Sequence, residues 1–191
     1  MTLFEYVTVA VSIVLSFGVV RLLDGLRPAL APERRYGVHC LWIATKLLNH
    51  ALFWWGLWAL RDAVTWDLAS FLWILLFPSA LYLQATALVT TSPGEIRSWR
   101  EHFYQIRSWF FGVNVFLILH TFASSMLLVG VPVLHVSLLP LLLVLLVNLA
   151  GLGSAEPRLH AAIAILVLLN QILGFGAILF RPGALAVGSG Q

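Results

Sequence analysis

Long apolar runs separated by short polar links make up almost the whole chain. The runs cover Leu3–Leu23, Val38–Leu60, Leu68–Thr90, Trp109–Val131, Val136–Gly153 and Leu159–Phe180. A helix needs about 20 mostly apolar residues to cross the hydrocarbon core of a bilayer. Five runs reach that length and the fifth in chain order, Val136–Gly153, is near the lower limit. Apolar residues are continuous within each run, whereas a lipid-facing barrel strand would alternate them with polar ones. A helix also satisfies its own backbone in lipid. The pattern predicts an all-α polytopic membrane protein, a six-transmembrane-helix bundle. Residues 1–183 form its single domain and 184–191 a short frayed tail. Pro78 falls well inside the third run and predicts a kink; Pro140 lies near a helix start and is milder. The short link "GVPVLH" at 130–135 predicts that the fourth and fifth helices pair antiparallel. In "GLGSAEPR", glycines that end a helix precede Pro157, which can start the next.

One stretch has a different periodicity. In "SPGEIRSWREHFYQIRSW", residues 92–109, the apolar positions Ile96, Trp99, Phe103, Ile106 and Phe110 recur at helical steps. Ser92 and Glu95 have capping-box spacing, with Pro93 at the first helical position. This predicts a cytoplasmic interfacial amphipathic helix before the fourth crossing. Arg97, Trp99, Arg100, Phe103 and Arg107 would contact lipid or a partner there. The second "IRSW", ten residues after the first, is too little to define a repeat architecture.

Composition reinforces the membrane reading. Of 191 residues, 61% are apolar and 10% charged, with mean hydropathy +0.96. A soluble domain carries about 25% charged residues. The net charge of +3 does not point to nucleic acid, because the cations are sparse and sorted by loop. Arg21, Arg27, Arg34, Arg35, Arg97, Arg100, Arg107 and Arg158 fall on one side of the bilayer, and Arg61 and Arg181 on the other. The positive-inside rule makes the first side cytoplasmic, with both termini outside. Trp54, Trp55, Trp58 and Trp66 gather where an outer interfacial belt is expected. Glu5 replaces the basic start of a signal peptide, and Pro32 disfavours cleavage after "ALA", so the first run is read as a retained helix. Cys40 is the only cysteine, which excludes an intrachain disulfide and a paired-cysteine redox centre.

The candidate chemistry lies in the polar residues placed at bilayer depth. Lys46, Asn49 and His50 have i, i+3 and i+4 spacing on the second helix. Gln84, Asn114, His120, Asn148, Asn170 and Gln171 fall at similar depth on the other helices, within a layer about 10–12 Å thick. Interhelical hydrogen bonds account for amides in such positions. A charged lysine at depth costs roughly 2.5–3.5 kcal/mol by insertion scales, unless it snorkels to an interface. The alternative is a polar cavity, open toward the cytoplasm and walled by these nine residues, in which Lys46 attracts an anion. His50 and His120 could instead ligate a haem iron, provided both face one space. Otherwise no cofactor is expected. The chain lacks H-E-x-x-H and G-x-S-x-G motifs, and no acidic cluster follows Asp24-Gly25. No catalytic residue or metal ligand is therefore assigned, and the reading leans away from an enzyme.

The opening "LFEYVTVAVSIVLSFGVVRLLDGL" resembles the start of small bacterial multi-helix integral membrane proteins of unassigned function. The resemblance covers mainly the first helix and the basic loop after it. It implies a bacterial inner-membrane location and carries no catalytic residue across. Together these readings lead to a transporter or channel-like protein for a polar or anionic solute. The alternatives are a structural or assembly subunit of a membrane complex and a haem-binding electron carrier. The bilayer is the expected partner, with a homo-oligomer or a membrane-complex subunit beside it. Two halves of three helices would permit an inverted repeat, but no sequence repeat accompanies that geometry.

Overall fold

The computed structural model describes residues 2–61, 66–90, 92–133 and 135–178. The predicted tail at 184–191, Arg181 and the last two residues of the sixth run lie outside them. The described residues form six α-helices: α1 Leu3–Leu30, α2 Gly37–Gly56, α3 Leu68–Leu88, α4 Trp99–Leu127, α5 Leu139–Gly153 and α6 Pro157–Ile178. No strand occurs among the described residues. Among the described residues, five helices are long and apolar enough to cross a membrane: α1, α3, α4, α6, and α5 taken with its leading 3-10 turn Val136–Leu138. The helix outside that group, α2, carries Lys46, Asn49, His39 and His50 within its 20 residues.

Local chemistry sets the helix ends. Thr2 and Glu5 form a capping box at the start of α1. Asp67 and Ser70 do the same for α3, where the Ser70 amide donates to Asp67 Oδ1 at 2.7 Å. Helix α1 extends seven residues past its apolar run, through Asp24 and Arg27, to Leu30. The end of an apolar run marks where lipid stops, and backbone hydrogen bonding continues beyond it. α3 remains helical through Pro78. Gly130 adopts φ 74° in the link after α4, a left-handed conformation that strongly favours glycine.

The amphipathic stretch is not the separate helix that its sequence predicts. Pro93–Glu95 form a single 3-10 turn, and α4 starts at Trp99, capped by the Ser98 hydroxyl accepting from the Glu101 amide. Arg34 holds the turn outside the helix by donating Nη1 to the carbonyls of Gly94 (2.8 Å) and Ile96 (3.1 Å). Residues 99–109 are thus the first turns of a continuous α4.

Helices α2 to α6 form a ring in chain order, each packed on the next, and α6 closes back onto α2. Helix α1 lies outside, in the groove between α2 and α3. Its buried stripe is Val7, Val11, Leu15, Gly18, Leu22, Gly25 and Ala29. Gly18 and Gly25 permit close approach: a Cβ on Gly18 would collide with the His50 ring, and one on Gly25 with Val89. Helices α4 and α5 pair as the short link predicts. Gly151 lies tight against α4, where a Cβ would stand 2.5 Å from Phe111.

The two ends of the bundle differ. One carries Arg34, Arg35, Arg97, Arg100 and Arg158 and is termed the basic end. The other carries Trp54, Trp58 and Trp66 and is termed the tryptophan end. An aromatic core of Trp42, Trp99, Phe103, Phe110 and Phe111 occupies the half nearer the basic end.

Candidate functional site

Lys46 sits about halfway along α2 and points into the ring. It is 2% exposed, so it does not snorkel to either end of the bundle. Its ammonium donates to Asn114 Oδ1 on α4 at 2.5 Å. The same oxygen accepts from Gln84 Nε2 on α3 at 2.8 Å, and Gln84 also reaches the Phe110 carbonyl at 3.1 Å. One amide oxygen therefore ties together three helices. Lys46 Nζ lies 5.4 Å from the centroid of the Phe110 ring and 6.0 Å from that of Trp42. Both faces favour a cation.

Beyond the ammonium is a cavity of about 170 Å³. Lys46, Asn49, Asn114, Asn148, Asn170 and Gln171 supply most of its polar lining, with apolar walls from all four neighbouring helices. At about 30 Å³ per liquid water, that is room for five or six waters. No carboxylate lines the cavity among the described residues. An ammonium has three donors, and the bond to Asn114 uses one of them.

The amides divide into bonded and unbonded halves. Gln171 Nε2 donates to Asn49 Oδ1, closing α6 onto α2. Asn148 Nδ2 donates to the Val144 carbonyl at 2.7 Å, one turn back along α5. This leaves Asn114 Nδ2 as an unpaired buried donor, and Asn148 Oδ1 and Gln171 Oε1 as unpaired buried acceptors. Leaving such groups unpaired costs about 1–3 kcal/mol each.

The cavity does not extend toward the basic end, as the sequence reading expected. Trp42, Phe110 and Phe111 fill that side, with ring centroids 4.9–5.6 Å from Trp42. The free volume lies on the opposite side of Lys46. A second cavity of about 260 Å³ follows it toward the tryptophan end. The two share Asn49, Phe77 and Thr121 as walls. Phe77 and Thr121 give no signal in the pattern of deep polar groups, since one is apolar and the other a weak hydroxyl.

Three of the nine predicted residues stand away from the first cavity. Gln84 is one layer behind it, bonded to Asn114. His50 points toward α1: its Nδ1 donates to the Lys46 carbonyl at 2.7 Å and its Nε2 abuts Gly18. His120 lines the second cavity, stacked on Trp73 with centroids 4.6 Å apart. His120 Nε2 donates to the Trp73 carbonyl at 2.9 Å, and its Nδ1 accepts from Ser124 at 3.4 Å. A haem held by His50 and His120 requires both imidazoles to face one space with a free nitrogen each. One ring has both nitrogens bonded here, and the other presents its free nitrogen to α1.

The predicted interfacial set also divides. Arg97 and Arg100 are exposed at the basic end. Trp99 and Phe103 are fully buried rather than set against lipid, because their stripe packs into the bundle core. Trp99 Nε1 donates to the Pro28 carbonyl at 3.0 Å. Arg107 donates to the carbonyls of Gly151, Leu152 and Ser154, satisfying the end of α5. Helix C-terminal carbonyls are a favourable place for a cation. No protein-family model, no curated protein and no solved structure matches the chain.

Proposed function

We propose that the protein is a six-helix membrane transporter or channel-like protein for a small polar or anionic solute, which it holds beside Lys46. The observation that carries this reading is a fully buried lysine with no carboxylate beside it among the described residues, facing a cavity that five amide side chains also line. A buried ammonium needs a counter-charge, strong dipoles or water. Amide oxygens supply part of this, and an anion in the cavity supplies the rest. Helix α2 crosses the membrane as the sixth span. At about 1.5 Å per residue it is roughly 30 Å long, and its polar groups turn inward to the ring. The basic end faces the cytoplasm of a bacterial inner membrane, which places the termini outside. Arg97 and Arg100 then meet anionic headgroups or a cytoplasmic partner.

Proteoliposomes test this directly. With chloride, nitrate and acetate offered in turn, the folded wild type should pass at least one faster than protein-free vesicles. Lys46→Met should bring that flux to background at unchanged thermal midpoint and oligomeric state, and Lys46→Arg should retain part of it.

A structural or assembly role is the second reading. It is favoured by the Asn49–Gln171 and Gln84–Asn114 bonds, which join helices whether or not a solute binds. Under that reading Lys46→Met leaves vesicle flux untouched and weakens only helix association.

A further inference from the structure

The two cavities meet at three side chains, one from each of three helices. Asn49 on α2, Phe77 on α3 and Thr121 on α4 line both. Two of the three are fixed by hydrogen bonds. Gln171 Nε2 donates to Asn49 Oδ1, and the Thr121 hydroxyl donates to the Leu117 carbonyl at 2.8 Å. Phe77 is held by ring contacts instead. It stacks on Phe53 with centroids 4.4 Å apart and planes 8° from parallel, and its centroid lies 5.7 Å from that of His120. Losing one such stack shifts an equilibrium by up to about tenfold, so thermal motion suffices to break it. The backbone beside the ring has play as well. Pro78 has no amide hydrogen, so the Ile74 carbonyl lacks its usual partner in α3. Helix bending concentrates at such a proline. Beyond the stack, the second cavity runs to Leu60 and Val129 at the tryptophan end. On the other side of Lys46, Trp42 and Phe110 close the bundle.

We propose that Phe77 is the gate between the tryptophan end and Lys46, closed by its stack on Phe53 and opened by movement of α3 at Pro78. This gate rests on the solute-site reading above and adds the route by which the solute arrives.

Thiol labelling of the purified full chain in detergent, in a Cys40→Ala background, reads the gate without a solute. Val167→Cys reports on the first cavity and Ser125→Cys on the second. Val167 is buried, so a reagent reaches it only through the bundle. The anionic reagent sulfonatoethyl methanethiosulfonate should modify Ser125→Cys at the same rate whatever stands at position 77. It should modify Val167→Cys about tenfold faster in Phe77→Ala, the upper end of what losing one stack gives. Phe53→Ala removes the other half of the stack and should act alike, which guards against Phe77→Ala failing to fold. Pro78→Ala restores the missing backbone bond and should slow labelling of Val167→Cys. Equal Val167→Cys rates in the wild type and both stack variants overturn the gate. A rise at both reporter positions is general loosening and overturns it too. A Pro78→Ala rate equal to wild type overturns the hinge. In proteoliposomes, chloride flux that depends on Lys46 should rise in Phe77→Ala. Faster labelling with unchanged flux overturns this route as the solute's. Flux absent from every variant, with labelling as expected, removes the solute site and leaves the gate standing.

Discussion

Gly18 and His50 show how one residue positions the chemistry of another. The glycine has no side chain, so the Nε2 edge of the His50 ring comes up against α1 and its Nδ1 reaches back to the Lys46 carbonyl. Gly18→Ala places a methyl group where the ring now stands. The ring must move, or α1 must separate from α2. Overpacking of this kind costs about 1–3 kcal/mol, and a thermal or denaturant melt in detergent should register that loss. An unchanged midpoint would mean that the close approach is not required. The same pair marks a limit of the sequence. Lys46, Asn49 and His50 do share one side of α2, as their spacing requires. At about 100° per residue, however, Asn49 and His50 lie on opposite flanks of Lys46. That arc is wide enough to send one to the cavity and the other to α1. Spacing identifies the face but does not divide it between neighbours.

At the scale of single elements, helix identity is more legible than helix ends. Every apolar run contains a helix, because a lipid-compatible segment of that length has few other ways to satisfy its backbone. The two clear misreadings are at boundaries. Helix α1 runs on through charged residues, and α4 starts at Trp99 because Arg34, distant in sequence, binds the carbonyls of the preceding turn. Helix α3 allows a pH test. Hydrogen bonds from the Ser70 amide and hydroxyl lower the pKa of the Asp67 carboxyl below the usual aspartate range. A depressed acid stabilises the fold above its unfolded pKa, about 3.9 for aspartate, and that contribution disappears as pH falls through the lower folded value. Relative to Asp67→Asn, the wild type should therefore melt higher near neutral pH. The gap should narrow as the pH is lowered below about 3.9, the unfolded aspartate value. A gap that is constant with pH would show that the ionised cap adds nothing beyond its hydrogen bonds.

For the whole molecule, the sequence places a polar layer within the bilayer but gives no ring order and no position for α1. Which helices touch depends on contacts such as Gly25 with Val89 and Asn49 with Gln171, for which the chain has no local pattern. The cavity opens away from the basic end for a related reason. Lys46 is nearer in sequence to the basic end, but Trp42 and Phe110, four residues before Lys46 and Asn114, fill that side with aromatic volume. The cation asymmetry gives an orientation that labelling can check. In a Cys40→Ala background, an impermeant thiol reagent outside the cell should modify Ser137→Cys at the tryptophan end and spare Ser98→Cys at the basic end. The opposite pattern would invert the topology. The central claim is narrower: Lys46 holds an anion in the ring. Crystals of the full chain grown in bromide test it most directly, because anomalous scattering locates the ion without assumption. The account predicts a bromide peak in the cavity against Lys46 Nζ, and no such peak in Lys46→Met. A bromide-free cavity in well-ordered wild-type crystals, with Lys46 bonded to Asn114 alone, would contradict it.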